Sequence, residues 1–311
     1  MKGRYRSLFP LIQWQAVARP IDWAQAFGCQ RPLVFEIGCG NGEYLMQYAR
    51  EHPEQSIVAI DQTWPAVLRV LRRIASGGPP NIRVLYGDTR VVLQRCFRPE
   101  SLAHVYALFP CPWPKTSHTR HRLFASPFLR LLNSRLASGG SLRILTDSSA
   151  YRDWIRQEHS DTGFRLEQTQ IPAASNLKTL YARRWHAQGQ TAFHELRLVK
   201  ESHAAEPLKE DTEVKTYHVN RFDPERFKPE NAREPCTVEF KDYLYDPKRE
   251  RAMVRVMVVE EPLTQDFWID IAHLDRSWHI RPSWGCRMVP TRGVQEALDR
   301  VYAAANASAQ G

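Results

Sequence analysis

The stretch Pro32-Leu33-Val34-Phe35-Glu36-Ile37-Gly38-Cys39-Gly40-Asn41-Gly42 decides how the rest of the chain reads. A short apolar run ends in three glycines at alternate positions, after which Tyr44, Leu45, Tyr48 and Ala49 recur with helical spacing. That is a strand, a tight turn and a helix. Glycines at such a turn serve a ligand that must come close to the backbone, because a Cβ would block it. An ordinary tight turn has the same local composition, so the spacing downstream matters. A second apolar run, Ser56 to Ile60, ends in Asp61, about 20 residues beyond the turn, where an acid can hydrogen-bond the ribose hydroxyls of a nucleoside. A helix N-cap is the competing role for Asp61.

Working outward, a third unit runs from Asn81 to Tyr86 and ends in Gly87-Asp88-Thr89. A fourth strand is expected through Val105 to Phe109, and a fifth from Ser141 to Leu145, after a Gly139-Gly140 turn and before Thr146-Asp147. Helical patterns at Ala66 to Ser76, Val91 to Phe97 and Pro127 to Leu136 alternate with these strands, which predicts a doubly wound, mostly parallel α/β sheet. Ligands of such sheets bind outside the carboxyl ends of the strands. Glu36, Asp61, Asp88, Cys111 and Asp147 fall at or beside those ends and are predicted to meet at one crevice. Asp88 and Asp147 also suit a turn or cap.

The fourth strand leads into Leu108-Phe109-Pro110-Cys111-Pro112-Trp113-Pro114-Lys115-Thr116-Ser117-His118-Thr119-Arg120-His121-Arg122-Leu123. Three prolines fix φ and withhold backbone donors, so the strand must stop in a stiff, extended loop. The loop presents an aromatic face and several cations together, which suits a nucleobase and its phosphates. Its composition also fits a Pro-rich surface turn with a solvated charge cluster. The stretch resembles the Phe-Pro-Asp-Pro-Trp-Pro-Lys signature, with its following His and Arg-Arg, of the bacterial tRNA (guanine-N7)-methyltransferases. It departs from that signature at one position, where Cys111 stands for the family's Asp. A second departure lies in Asn176 to Trp185, which resembles the family's Thr-x-Phe/Tyr-Glu-x-Arg motif with Ala182 in place of the Glu.

The resemblance covers roughly residues 30 to 200 and implies a Rossmann-like fold of the class I S-adenosylmethionine-dependent methyltransferases. It implies S-adenosylmethionine as cofactor and a guanosine in tRNA as methyl acceptor. By motif position, Glu36 and the loop of Gly38, Gly40 and Gly42 would line the methionine and ribose side. Asp61 would take the ribose hydroxyls, and Asp88 with Thr89 the adenine. Lys115, His118, Arg122, Asp147, Thr179 and Tyr181 would face the acceptor, and Cys111 occupies the family's catalytic Asp position. Guanine N7 has a lone pair and no proton to lose, so transfer needs placement, exclusion of water and charge compensation. A neutral thiol accepts hydrogen bonds poorly and carries no fixed charge. Two alternatives stay open at this point: a degenerate homologue that binds tRNA or cofactor without turnover, and a pyrimidine C5-methyltransferase, whose Pro-Cys pair Pro110-Cys111 resembles and whose thiolate adds to the ring.

The remaining chain reads more simply. Residues 1 to 30 form a leader with Trp14 and Trp23, expected to cover the first strand, and the methyltransferase domain is expected over residues 31 to 200. Strands are expected near Phe164 to Gln168 and Ala192 to Val199. A charged, unpatterned link, 201 to 215, precedes an α+β extension over 216 to 311 with strands at Thr237 to Phe240, Met253 to Val259, Phe267 to Ile271 and Trp278 to Arg281. Val294, Ala297, Leu298, Val301 and Tyr302 make a helical stripe behind a cap at Thr291.

With 311 residues, 43% of them hydrophobic, the chain can bury a core in each of two domains. A net charge of +9 attracts polyanions, and between Cys111 and Thr146 there are six Lys or Arg and no Asp or Glu. The six cysteines form no Cys-x-x-Cys pair, which argues against zinc and a disulfide framework. No long apolar run or signal-type start is present, so a cytoplasmic monomer without metal or membrane contact is expected.

Overall fold

A computed structural model describes residues 8–172, 187, 189 and 191–309. The chain divides after Lys209 into two compact units.

The first unit is built on a seven-stranded sheet in the order β3-β2-β1-β4-β5-β7-β6. Its strands are β1 (Leu33–Ile37), β2 (Ser56–Asp61), β3 (Ile82–Tyr86), β4 (Leu102–Leu108), β5 (Leu136–Thr146), β6 (Phe164–Pro172) and β7 (Ala192–Lys200). β1 to β5 run parallel, and β7 is antiparallel to both β5 and β6. Helices α1 (Trp23–Phe27), α2 (Glu43–Glu51), α3 (Trp64–Ala75), α4 (Thr89–Cys96), α5 (Ser126–Arg135) and α6 (Ser149–Glu158) accompany them. β1, β2 and β3 are buried along nearly their whole length, which is why they read as mostly apolar runs. The strand order reverses between β1 and β4, and that switch point is where such sheets leave a crevice.

Three local features differ from what the sequence suggests. The Gly139-Gly140 turn does not precede the fifth strand. It is absorbed into β5 as an irregularity in the pairing with β4, and a Cβ on Gly140 would come within 2.9 Å of the Ala103 carbonyl. The leader extends beyond the first strand to the β3 edge, where Ile12 N donates to Val84 O at 2.9 Å and Val84 N to Pro10 O at 2.7 Å. Residues 201–209 are bound into the first unit. Arg135, fully buried, donates to the carbonyls of Leu93, Glu206 and Pro207, and Lys209 N donates to Gln94 O.

The second unit is a five-stranded antiparallel sheet in the order β8-β12-β11-β10-β9. Its elements are β8 (Tyr217–Val219), β9 (Thr237–Asp246), β10 (Arg251–Glu260), β11 (Leu263–Leu274), β12 (Ser277–Pro282) and α7 (Arg292–Ser308). Alternate residues Ala252, Val254, Val256 and Val258 of β10 are buried in one core with Val294, Leu298 and Val301 of α7. Thr291 caps that helix by accepting from Val294 N. β8 is too short to have shown a period in the sequence.

Lys and Arg outnumber Asp and Glu by 28 to 16 in residues 1–209, whereas in residues 210–311 they are outnumbered by 15 to 18. The positive charge of the protein belongs to the first unit alone.

Candidate functional site: a strand-end crevice beside a clamped loop

The order β3-β2-β1-β4-β5 sets the sequence-predicted residues side by side along one end of the sheet. Asp88 follows β3, Asp61 ends β2, the glycine loop follows β1, Cys111 lies beyond β4 and Asp147 follows β5. Four strand spacings separate the outermost pair, about 19 Å, which is enough for a nucleoside cofactor and a second base in line.

On the β1–β2 side the turn is held tightly. Gly38, Gly40 and Gly42 adopt φ of +74°, +55° and +73°, conformations that favour glycine. Gly38 N and Cys39 N both donate to Ile60 O, at 2.9 and 3.1 Å, and Gly40 N donates to Asp61 Oδ2 at 3.1 Å. Asp61 Oδ1 accepts from Thr63 N and Thr63 Oγ1 at 2.9 and 2.8 Å. The carboxylate is thereby aimed, with part of its acceptor capacity left for a ligand. A Cβ on Gly38 would meet nothing within 4 Å, so the space in front of the loop is open.

Glu36 lies one turn of the pleat below this loop. It is 3% exposed, and its Oε2 has no hydrogen-bond partner among the described residues. Burial, reinforced by the nearby Asp61 carboxylate, pushes its pKa up to about 8. Across the switch point, in register with Glu36, stands Tyr106, whose hydroxyl is also buried and without a partner among the described residues. Burial and Glu36 push that phenol well above its usual range. Tyr44 and Tyr48 of α2 pack against Tyr106 at ring distances of 5.4 and 5.1 Å, and Arg143 of β5 donates to Tyr44 Oη at 3.2 Å. A buried carboxyl with a vacant acceptor, below an open glycine loop, fits a cofactor that carries cationic or N–H groups.

On the β4–β5 side the Pro-rich loop is fixed by two means. Phe109 and Trp113 both have left-handed φ, +53° and +45°, although neither is glycine, and each precedes a proline. Arg122 holds that shape, donating from Nε to Pro112 O at 2.9 Å and from Nη2 to Trp113 O at 3.3 Å. Its guanidinium also lies over the rings of Tyr151 and Trp154, 5.6 and 5.2 Å from the centroids. A 3-10 turn, Thr116–His121, brings His118 and His121 to 5.7 and 5.1 Å from Trp113. Cys111 and Lys115 are exposed at this surface, and Asp147 is half-buried at the next strand end.

Asp88 caps α4 by accepting from Arg90 N at 2.8 Å, and it pairs with the Arg90 guanidinium at 2.6 Å. Thr89 opens that helix. Thr179, Tyr181 and Ala182 lie outside the described residues. Among the described residues no group of three or more His, Cys, Asp or Glu is placed to hold a metal ion. No described helix is long and apolar enough to cross a membrane.

The family described as "Putative methyltransferase" matches residues 30–195. The tRNA (guanine-N(7)-)-methyltransferase of Chlorobium phaeobacteroides is 39% identical over 171 residues, 55% of this chain and 83% of that protein. The chain belongs to the tRNA (guanine-N7)-methyltransferase family. The member from Thermus thermophilus is 36% identical over 175 residues, 56% of each chain. The one from Thermotoga maritima is 32% identical over 175 residues, again 56% of each. The chain thus spans about half the length of two of these relatives.

The sheet is Rossmann-like, mostly parallel, with one antiparallel strand inserted beside β5. Sequence reasoning did not single out Tyr106 beside Glu36, Tyr44 and Arg143 that back it, nor Arg122 as the residue that closes the loop. Counting back in twos from the end of β4 would have placed Tyr106 on the face of Glu36.

Proposed function

We propose that the protein transfers a methyl group from S-adenosylmethionine to N7 of a guanosine in tRNA, acting in the cytoplasm as a monomer. The observation that carries this reading is the pairing, across one switch point, of an aimed pair of acids beneath an open glycine loop with a rigid cationic and aromatic loop.

Glu36 and Asp61 would hold the cofactor, with Gly38, Gly40 and Gly42 allowing its close approach. The cofactor supplies an electrophilic methyl group on a sulfonium. The protein's own part is geometric and electrostatic. Arg122 fixes the Pro112 and Trp113 carbonyls, so the face of Trp113 and the exposed Lys115 keep one orientation toward an incoming nucleotide. Asp147 supplies a carboxylate at the next strand end for the N1 and N2 donors of a guanine, where the thiol of Cys111 offers no fixed charge. Because N7 carries no proton, no general base is required, and the rate rests on in-line placement and on compensation of the cationic product. The excess of Lys and Arg in residues 1–209 draws the phosphate backbone to this unit.

The test is incubation of the protein with unmodified bulk tRNA and methyl-labelled cofactor, followed by nucleoside digestion. Labelled 7-methylguanosine is the expected product. Label in 5-methylcytidine or 5-methyluridine would replace this reading with the Cys111 thiolate route, and binding without product would make the protein a non-catalytic homologue.

A further inference from the structure

β7 runs against β5, so its first residues arrive at the crevice end of the sheet. Half-buried His194 lies there, opposite Thr146, the residue before Asp147. The residue before it anchors the strand: Phe193 is fully buried, and its ring meets that of Phe109, where the Pro-rich loop begins, edge to face at 4.9 Å. Successive side chains of a strand point to opposite faces, so His194 turns away from that contact and meets α6.

α6 supplies a partner for one edge of the imidazole. Arg152 forks onto the Asp153 carboxylate, from Nε and Nη2 at 2.9 Å each, which leaves Nη1 to meet His194 Nδ1 at 3.3 Å. A guanidinium can only donate, so Nδ1 accepts and the ring proton belongs on Nε2. Burial and the Arg152 charge hold the His194 pKa below its usual range, against the opposing pull of Asp153 and Asp147. The ring is neutral at pH 7, and its Nε2–H has no partner among the described residues.

Asp147 is close enough for its charge to act on His194. A carboxylate acceptor beside an imidazole donor matches the Watson–Crick edge of guanine, on which O6 accepts next to the N1 and N2 donors. Adenine presents an N6 donor and an N1 acceptor on the same edge and would leave both protein groups opposed or unpaired. Sites that strand their own polar groups reject the wrong base steeply.

We infer that His194 donates from Nε2 to O6 of the acceptor guanine and so reads the base together with Asp147. The inference rests on the acceptor reading proposed above and adds to it the residue that recognises O6.

Two amides separate the edges of the ring. Asparagine places its amide where Nδ1 was and keeps the bond to Arg152, whereas glutamine places its amide nitrogen where Nε2 was and keeps the forward donor. The experiment measures methyl transfer from labelled cofactor to unmodified bulk tRNA at limiting RNA, with calorimetry of S-adenosylhomocysteine binding beside it. His194→Gln stays within about threefold of the wild-type rate, while His194→Asn and His194→Ala fall by about tenfold or more, as loss of one hydrogen bond to a substrate atom does. Affinity for S-adenosylhomocysteine is unchanged in all three. The reverse order, with the asparagine variant active and the glutamine variant impaired, would overturn the inference and make His194 a brace for α6. An alanine variant at the wild-type rate, or equal losses in all three variants, would overturn it as well while leaving the acceptor reading intact. A wild type that yields no labelled 7-methylguanosine would sink the acceptor reading and this inference with it.

Discussion

Glu36 stands directly across from Tyr106 on neighbouring strands, and each buries an oxygen with no hydrogen-bond partner among the described residues. The pair lies on both sides of the switch point, so the crevice is floored by groups that are neutral together at moderate pH. Folding lifts the Glu36 pKa from 4.5 to about 8. The native state therefore holds a proton that the unfolded chain releases above pH 4.5. The stability this protonation preserves is complete below 4.5 and is lost as pH rises through about 8. Glu36→Gln removes the titration. It will stabilise the ligand-free protein at pH 8 to 9 by on the order of a few kcal/mol, read as a higher melting temperature, and change it little near pH 5. The same variant will bind S-adenosylhomocysteine more weakly. Thermal unfolding across pH measures the first effect and calorimetry the second.

Cys111 is exposed beyond β4, in a loop whose shape is set by its neighbours. Cys111→Asp restores a fixed negative charge without demanding a new backbone. The rate of 7-methylguanosine formation will rise, roughly 10- to 1000-fold if the carboxylate recovers one preorganised electrostatic contact. Affinity for S-adenosylhomocysteine will not change. Cys111→Ala will retain the wild-type rate, since the thiol is not a nucleophile in this reaction. Single-turnover assays with saturating cofactor separate these outcomes.

Arg122 acts on the loop through both ends of its guanidinium. Arg122→Lys keeps the charge but loses the fork that meets two carbonyls and the plane that stacks on Tyr151 and Trp154. Turnover on tRNA will fall by roughly ten- to a hundredfold, with cofactor affinity unaltered. A lysine variant as active as the wild type would show that the loop holds its form unaided.

Gly42 approaches α3 so closely that a Cβ would lie 2.8 Å from Val70 Cγ2, and its φ is +73°. Gly42→Ala will lower stability by about 1–3 kcal/mol, a loss of several degrees in melting temperature. Gly38, where a Cβ meets nothing within 4 Å, has no such packing contact. Gly38→Ala will add less instability and will act chiefly on cofactor affinity. Differential melting with and without S-adenosylhomocysteine distinguishes the two positions.

Much of the first unit was legible because its parallel strands are largely buried and so appear as mostly apolar runs, with a glycine or an acid at the end of β1, β2, β3 and β5 and a proline-rich loop after β4. β7 was legible for a different reason, the partial alternation of buried and exposed positions along it, whereas β6 is mostly exposed and carries little pattern. What escaped notice depends on contacts between residues far apart in sequence. Arg83 lies between the rings of Phe9 and Phe27, 5.0 and 4.7 Å away, and this ties the leader to β3. No local pattern announces it. The continuation of β5 back to Leu136 depends on a close approach by the Ala103 carbonyl that only the folded sheet contains. At the site, motif spacing identified which strand ends carry acids. It gave no sign that Arg122 would turn inward to its own loop, because a guanidinium among prolines looks the same in sequence whether it meets a phosphate or a carbonyl.

The joint at Lys209 has a bearing on where this chain can be cut. Inside the first unit, two of the four bonds of the buried Arg135 guanidinium go to Glu206 and Pro207, which return to meet it. A polypeptide stopped at residue 200 would strand that cation in an apolar interior, and it will express poorly or melt early. One stopped at 209 leaves every one of those bonds closed. A chain that gained or shed its last hundred residues at that point would leave those bonds untouched, which makes the joint a natural place for relatives to differ in length.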